Sequence, residues 1–139
     1  MAETLTDKTF QFELVSPERV LVSEQARMVV VPGDDGDFGV LAGHTPLLSS
    51  IRPGVVTVTA PSGEQRRIFV AGGFADVNGA VCSVLAEDAA DVKDLDRAEL
   101  EEQLKSLADD QGFAGDDEAK KSRIARDIEM TKAKLAAVA

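Results

Sequence analysis

The segment from Val31 to Leu48 places the tightest limits on what this chain can fold into. It reads V-P-G-D-D-G-D-F-G-V-L-A-G-H-T-P-L-L, with four glycines at intervals of three and four residues and a proline near each end. Such glycines mark positions where the backbone needs a positive φ or a close neighbour. No helix tolerates so many breakers, and an ordinary β-hairpin does not need them. The segment therefore predicts a rigid loop system of the kind that presents a surface to a partner.

Net charge and cysteine content exclude several classes of function. The 139 residues carry 25 acidic and 15 basic side chains, a formal net charge of −10. Nucleic-acid binding is not expected, because phosphate recognition needs clustered Lys and Arg. The single cysteine, Cys82, forms no intramolecular disulfide, which indicates a reducing compartment. No run of about 18 apolar residues occurs, and Met1–Thr9 has no apolar core for secretion, so we expect a soluble chain that reaches a membrane only through other proteins.

The first 90 residues have the composition of an all-β domain, with all five prolines, nine of eleven glycines and five of six phenylalanines. Apolar and polar residues alternate from Phe10 to Val15, the period of a strand with one buried face. The further strand candidates are Arg27–Val31, Phe38–Leu41, Val55–Ala60, Arg66–Ala71, Ala75–Val77 and Val81–Leu85. Pro61-Ser62-Gly63 predicts a hairpin turn, and Asn78-Gly79 predicts a tight type I′ turn. The pattern indicates a small antiparallel sandwich or flattened barrel.

The residues after Ala90 change to a helical period. Leucines at 100, 104 and 107 share one helix face, and Asp96 with Glu99 is typical of a capping-box start. Two glycines break the pattern between Gln111 and Asp117, and a second helix carries Ile124, Ile128 and Leu135 on one face. The sequence thus predicts an antiparallel helical hairpin. Each helix has only three or four large apolar residues, and burial of an aliphatic side chain contributes roughly 1.5–3 kcal/mol. The hairpin is therefore only marginally stable by itself, and we expect it to pack against another surface.

Charge is divided unequally between the two predicted helices. Residues 91–118 carry eleven acids and three bases, whereas residues 119–139 carry two acids and six bases. The six bases are Lys120, Lys121, Arg123, Arg126, Lys132 and Lys134. Two interpretations stay open: the helices attract each other within the hairpin, or this basic face also meets an acidic surface of a partner.

A search for catalytic motifs finds none. The phosphate-loop and G-x-S-x-G patterns are absent. A calcium loop starting at Asp35 would place Pro46 where the bidentate glutamate belongs, so we expect no metal site there. Cys82 lies in an apolar strand and is interpreted as a buried hydrophobe, and His44 as a hydrogen bonder that stabilises its loop. These absences favour a structural or coupling role over catalysis.

Five landmarks, in order, resemble the epsilon subunit of F-type ATP synthases, called delta in mitochondria. The first is Val15-Ser16-Pro17-Glu18-Arg19, and the second is the glycine segment, in which Ala42 stands where the family more often has proline. The remaining three are Pro53-Gly54-Val55-Val56, then F-V-A-G-G-F-A-D-V at residues 69–77, then V-L-A-E-D-A at residues 84–89. The resemblance runs from about Phe12 to the C-terminus.

This resemblance implies an architecture and a role. The expected fold is α+β, with an N-terminal antiparallel β-sandwich over residues 1–88 and a C-terminal two-helix hairpin over residues 89–139. The implied role is that of a non-catalytic rotor subunit of the central stalk, which couples c-ring rotation to ATP synthesis and hydrolysis in the catalytic head. Its implied partners are the gamma subunit and the c ring. The complex would hold it peripherally at the cytoplasmic face of the bacterial inner membrane.

The resemblance also assigns two surfaces. The loop that faces the c ring corresponds to Gly33, Gly36, Asp37, Phe38, Gly39, Gly43 and His44. Asp37 occupies the position of the family's acidic contact residue. In many relatives the helical hairpin extends along gamma towards the alpha/beta head and inhibits ATP hydrolysis; for this chain the sequence leaves that role open.

Some relatives bind ATP at the hairpin, and the corresponding residues here are only partly preserved. Asp94, Arg97 and Ala98 fit the motif, but Lys93 replaces its apolar residue. Asp88 stands where those relatives carry glutamate, and Met130 and Lys134 stand at two arginine positions. Losing the arginines removes bidentate phosphate contacts. We therefore predict weak ATP binding or none, and no other cofactor.

Two other classes of function remain as alternatives. One is a free-standing adaptor or regulatory binding domain that shares the fold, and the other is an enzyme with an unrecognised site. Copurification with gamma and the alpha/beta head at fixed stoichiometry distinguishes a rotor subunit from an adaptor.

Overall fold

The computed structural model describes residues 8–138 and divides the chain into two units after Asp91. The first unit contains ten strands: β1 Phe10–Val15, β2 Val20–Ala26, β3 Met28–Gly33, β4 Gly36–Val40, β5 Leu47–Ile51, β6 Gly54–Thr59, β7 Gln65–Val70, β8 Gly73–Val77, β9 Val81–Ala86 and β10 Ala89–Asp91. The absence of a secretion signal was predicted for Met1–Thr9, most of which lies outside the described residues. The division falls three residues beyond the expected boundary at Asp88, because β10 pairs with β7.

The strands form one continuous hydrogen-bonded sheet in the order β10-β7-β6-β3-β5-β8-β9-β1-β2, and β4 pairs with β3 off this path. Neighbouring described strands are antiparallel except β1 and β9, which are parallel. The sheet curls so that residues from nearly all of its strands share one core. The predicted fold class is confirmed.

Alternation along β1 shows how the sequence builds this core. Phe10, Phe12 and Leu14 are buried, while the residues between them are half-buried. Other fully buried side chains come from across the sheet and include Val29, Val31, Val40, Val56, Val58, Val70, Val77 and Val84. Burial of these apolar side chains is the main stabilising contribution to the unit.

Three strands and one turn differ from the sequence-based expectations. The strands β2, β5 and β10 were not predicted. The Asn78-Gly79 turn is not type I′, because that turn needs a positive φ at both central residues and Gly79 has none. Instead the Asn78 side-chain oxygen accepts hydrogen bonds from the N–H groups of Ala80 and Val81, at 2.9 Å each. This side chain closes the turn without left-handed backbone.

The second unit is the predicted pair of helices, α1 Arg97–Gly112 and α2 Glu118–Val138, after a 3₁₀ turn at Val92–Asp94. Asp96 caps α1, since its carboxylate accepts from the N–H groups of Ala98 and Glu99. Asp117 caps α2 in the same manner through the N–H of Lys120. The apolar cluster between the helices is small and contains Ala114, Ile124 and Ile128, with Leu104 and Leu107 beside them.

Candidate partner-binding surfaces

The glycine segment is a hairpin followed by a separate turn. β3 and β4 pair from Val29 with Val40 to Gly33 with Gly36, which leaves only Asp34 and Asp35 at the tip. The prediction of a loop system other than a hairpin is therefore wrong for residues 31–40. Gly36 has a φ of 132°, which side chains rarely tolerate, and this explains the glycine at the end of the turn.

The second part of the segment lies at the other end of β4. Gly43, with a φ of 81°, donates its N–H to the carbonyl of Gly79 in the β8–β9 turn at 3.1 Å. The His44 Nδ1–H donates to the carbonyl of Thr45 at 2.6 Å, which agrees with the predicted role in stabilising its loop. The five residues of β4 separate this turn from the hairpin tip by roughly 15 Å. The seven residues assigned to one partner-facing loop therefore belong to two sites.

Between these sites, the residues of β4 have different environments. Phe38 is half-buried and packs against the core, and Gly39 pairs with Val30. Asp37 is exposed and forms an ion pair with Arg52, with 2.5 Å between Oδ1 and Nη2. Arg52 also donates from Nη1 to the carbonyl of Gly33 at 2.5 Å. The role of Asp37 as a c-ring contact stays a prediction.

A row of apolar residues that was not predicted from the sequence crosses four strands, and all of its members except the half-buried Val15 are exposed. Phe74 on β8 pairs with Leu85 on β9, Leu85 with Val15 on β1, and Val15 with Val20 on β2. Three strand-to-strand steps give a row about 14 Å long. Leu48 on β5 is 71% exposed and extends the row diagonally towards Phe74. We call Val15, Val20, Leu48, Phe74 and Leu85 the apolar row.

A sequence signal for the apolar row did exist. On β8, Phe74 lies on the opposite face from the buried Ala75 and Val77. On β9, Leu85 lies between the buried Val84 and Ala86. Large apolar residues at the solvent-facing positions of an alternating strand are unusual when no partner covers them.

Within the second unit, the residues of the partial nucleotide motif do not line one common groove. Arg97 pairs with Glu101 one turn further along α1, at 3.2 Å. Asp94 lines a groove together with three other carboxylates, from Asp96, Glu99 and Glu102. Met130 and Lys134 line a different groove of about 320 Å³ between α1 and α2, and its lining contains none of the motif residues.

The remaining motif residues serve local structure. Asp88 lies in the first unit, where its carboxylate accepts the N–H of Ala89. The Ala98 N–H donates to the cap at Asp96. The predicted absence of strong ATP binding stays a prediction.

The six bases of α2 do not form one face. At about 100° per residue, Lys121 and Lys132 project on one flank of the buried stripe, and Lys120, Arg123 and Lys134 on the other. Arg126 projects on the side opposite the stripe. Lys121 and Lys132 form ion pairs with Glu118 and Glu129 of the same helix, at 3.7 Å each. The prediction of a single basic face is therefore wrong, because the bases surround the helix.

Among residues 8–91, the one buried side chain with a titratable group is the thiol of Cys82. Cys82 is fully buried. Burial raises its pKa from 9.0 to about 12, and the negative charge of Asp76 adds to the effect. The thiol stays protonated at neutral pH and behaves as a small hydrophobe, as predicted.

Neither a metal cluster nor a spanning helix is found among residues 8–138. No three His, Cys, Asp or Glu side chains in this part of the chain lie where they could hold a metal ion. Neither α1 nor α2 has the length and apolar composition needed to cross a bilayer.

Comparison with known proteins decides the family. Residues 9–92 match the family model described as ATP synthase, Delta/Epsilon chain, beta-sandwich domain, which is more than half of the chain. The chain belongs to the ATP synthase delta/epsilon family. The resemblance found in the sequence is thereby confirmed.

Individual members of the delta/epsilon family extend the similarity beyond the sandwich. The ATP synthase epsilon chain of Rhodospirillum rubrum is 48% identical over 130 residues, which cover 94% of this chain and 96% of that one. The epsilon chain of Mesorhizobium japonicum is 50% identical over 113 residues, or 81% and 84% of the two chains. The predicted function, a non-catalytic ATP synthase subunit, agrees with the names of these relatives.

A solved structure shows that the delta/epsilon fold extends through both units. A chain of the Euglena gracilis mitochondrial ATP synthase, in a structure of OSCP, F1 and the c ring, aligns with a TM-score of 0.83. The alignment covers 94% of this chain and 82% of the other, at 22% identity. The aligned part of the chain includes elements of the sandwich and of both helices, so each unit has a fold that is also found in that chain.

Proposed function

We propose that this chain is the epsilon subunit of a bacterial F-type ATP synthase. In that role it is a non-catalytic rotor subunit that binds gamma, contacts the c ring and couples ring rotation to the catalytic head. The observation that supports this best is the 48% identity with a bacterial ATP synthase epsilon chain over nearly the full length of both chains. The complex would hold the subunit at the cytoplasmic face of the inner membrane.

The apolar row is the proposed surface for gamma. A row of large apolar side chains on a solvent-facing sheet costs solubility unless a partner covers it. Phe74, the aromatic residue of the row, lies between Leu48 and Leu85 in the register and is 53% exposed. Aromatic anchors near the centre of an apolar patch carry much of the energy of protein interfaces. Polar residues at Asp76 and Ser83 flank the row and would form its rim.

The β3–β4 hairpin is the proposed surface for the c ring. Its tip consists of Asp34 and Asp35, and both side chains are exposed. The hairpin tip follows Gly33, which pairs with Ile51 on β5, whereas Leu48 of the apolar row lies three residues, or about 10 Å, further along β5. The other members of the row lie on β8, β9, β1 and β2, which are further from β3 in the strand order. The hairpin tip and the apolar row therefore use different positions on the sheet, which allows one subunit to hold gamma and the ring together.

The helical hairpin is proposed to act without its own ATP site. Four carboxylates surround the groove at Asp94, and they would repel a triphosphate. The other groove offers the thioether of Met130 and the single charge of Lys134 at the arginine positions. Any inhibition of hydrolysis by the hairpin would then be independent of nucleotide bound to this subunit.

Copurification from native membranes tests the proposal. A tagged copy of this chain should recover gamma and the alpha/beta head at fixed stoichiometry from detergent-solubilised membranes. Recovery of the tagged chain without these subunits, or with them in variable proportion, would favour a free-standing adaptor. Membranes from cells that lack the chain are the control, and their loss of ATP-driven proton pumping is expected.

A further inference from the structure

The β3–β4 hairpin is attached to the rest of the sheet mainly through β3. The N–H of Asp34 donates to the carbonyl of Ser50, and the N–H of Arg52 donates to the carbonyl of Pro32, at 3.0 Å each. These bonds hold the end of β3 to β5 and to the turn that follows it. β4 pairs with β3 and with no other described strand. Among the described strands, none is hydrogen-bonded to the far side of β4, the outer strand of the hairpin.

The side chain of Arg52 makes the missing connection. Its Nη1 donates to Gly33, the last residue of β3, and its Nη2 donates to Asp37 on β4. One planar guanidinium thus joins both strands of the hairpin to the β5–β6 turn. A rigid fork fixes angles as well as distances, which a single ammonium charge does not do.

Exposure shows that this ion pair does little for stability. The side chains of Arg52 and Asp37 are 44% and 60% exposed, and exposed ion pairs contribute little to the free energy of unfolding. A contact that stabilises the fold weakly can still orient a projecting element. β4 pairs only with β3 among the described strands, so backbone pairing restrains one side of the hairpin. The contacts of Arg52 with Gly33 and Asp37 therefore restrain the angle between the hairpin and the rest of the sheet.

We propose that Arg52 is a positioning residue. By binding Gly33 and Asp37 together, it keeps the β3–β4 hairpin at a fixed angle to the sheet while torque is transmitted between the hairpin and the c ring. The inference rests on the proposed c-ring contact of the hairpin. Asp37 then acts through Arg52: its charge is neutralised within the subunit and is not a free acidic contact for the ring. This differs from the role that the sequence resemblance assigns to Asp37.

Exchanging the charges of Asp37 and Arg52 in the assembled complex distinguishes two roles of Asp37, namely a partner of Arg52 and a direct contact of the c ring. The variants are Arg52→Ala, Arg52→Lys, Arg52→Glu, and the double variant Asp37→Arg with Arg52→Glu. The measurement is ATP-driven proton pumping relative to ATP hydrolysis in inverted membrane vesicles. We expect Arg52→Ala and Arg52→Glu to lose most pumping at retained hydrolysis, and Arg52→Lys to keep an intermediate level. The double variant should recover pumping, because the pair is restored in reverse.

Two controls keep the result interpretable. Arg67→Ala removes another exposed arginine, on β7, and should pump normally. The isolated Arg52→Ala subunit should lose at most about 8 °C in melting temperature, as expected for an exposed pair in a domain of this size. If Arg52→Ala does not fold, the comparison of Arg52→Glu with the double variant decides the question, because both carry the same residue at position 52.

Two outcomes overturn the inference. Normal pumping with Arg52→Ala would show that the hairpin needs no clamp. Failure of the double variant, with pumping as low as in Arg52→Glu, would show that the ring reads the charge of Asp37 itself. A different result would refute the proposed function itself. In that case membranes that lack the whole subunit would pump protons as well as wild-type membranes.

Discussion

Replacing Phe74 by alanine should weaken binding to gamma by about 30-fold. A phenylalanine side chain offers about 200 Å² for burial, and Phe74 is 53% exposed, so about 100 Å² is free for a partner to cover. At about 25 cal/mol per Å² this area contributes about 2.5 kcal/mol to binding. Alanine keeps part of the apolar surface, so the loss is about 2 kcal/mol, or about 30-fold in Kd.

The assay is titration of purified gamma with the isolated subunit by calorimetry. Met28→Ala is the matched control, because Met28 is also a large exposed apolar residue but lies on β3, outside the apolar row. It should change Kd by less than about twofold, as expected for a position outside the interface. Melting temperatures of both variants should stay close to that of the wild type, since neither side chain is in the core.

The opposite pattern would refute the reasoning. If Phe74→Ala binds gamma with wild-type affinity while remaining folded, the apolar row is not the gamma surface. If Met28→Ala weakens binding instead, gamma covers the β3 side of the sheet. Leu85 pairs directly with Phe74, so Leu85→Ala should change the Kd for gamma in the same direction as Phe74→Ala, whichever surface gamma covers.

Three further results are expected. A chain truncated after Asp91 should unfold in one cooperative urea transition and still bind gamma; loss of either property would contradict the division into two units. Calorimetry should detect no micromolar ATP binding, whereas restoring arginine at Met130 and Lys134 together should increase affinity; micromolar binding by the wild type would contradict the argument. Burial, together with the negative charge of Asp76, raises the pKa of Cys82 from 9.0 to about 12. Between these two pH values the unfolded chain loses the thiol proton and the folded chain keeps it. The contribution of this thiol to stability is therefore complete below pH 9 and is lost as the pH rises from 9 to about 12. The free energy of unfolding should fall there by up to about 1.4 kcal/mol per pH unit, and Cys82→Ala should remove this slope.

Period and turn chemistry predicted most of the fold. The alternation in β1 and the change of period after Ala90 are local signals that tertiary structure did not override. β2 was missed because its two buried residues, Val22 and Ala26, are separated by polar residues that hide the alternation. β5 was missed because it begins inside the glycine segment, at Leu47, and its two serines weaken the strand signal.

Surfaces were harder to predict than elements. The glycine segment was interpreted as one loop, but pairing between Val29 and Val40 turns its middle into a strand and separates Gly33 from His44. The Asp37–Arg52 pair joins residues 15 positions apart, so no local pattern indicates it. The members of the apolar row come from five strands, and they become neighbours only when the register of all five strands is known.

The parallel pairing of β1 with β9 has a consequence for folding kinetics. Gln11 pairs with Val81, which closes a loop of about 70 residues, whereas the hairpins β1–β2, β3–β4, β6–β7 and β8–β9 close only short loops. Contacts of such long sequence separation form slowly. During synthesis, the first hairpin has no β9 strand to pair with until the last part of the sheet has been made. The N-terminal hairpin therefore joins the sheet late, although it is the first part of the chain to be synthesised.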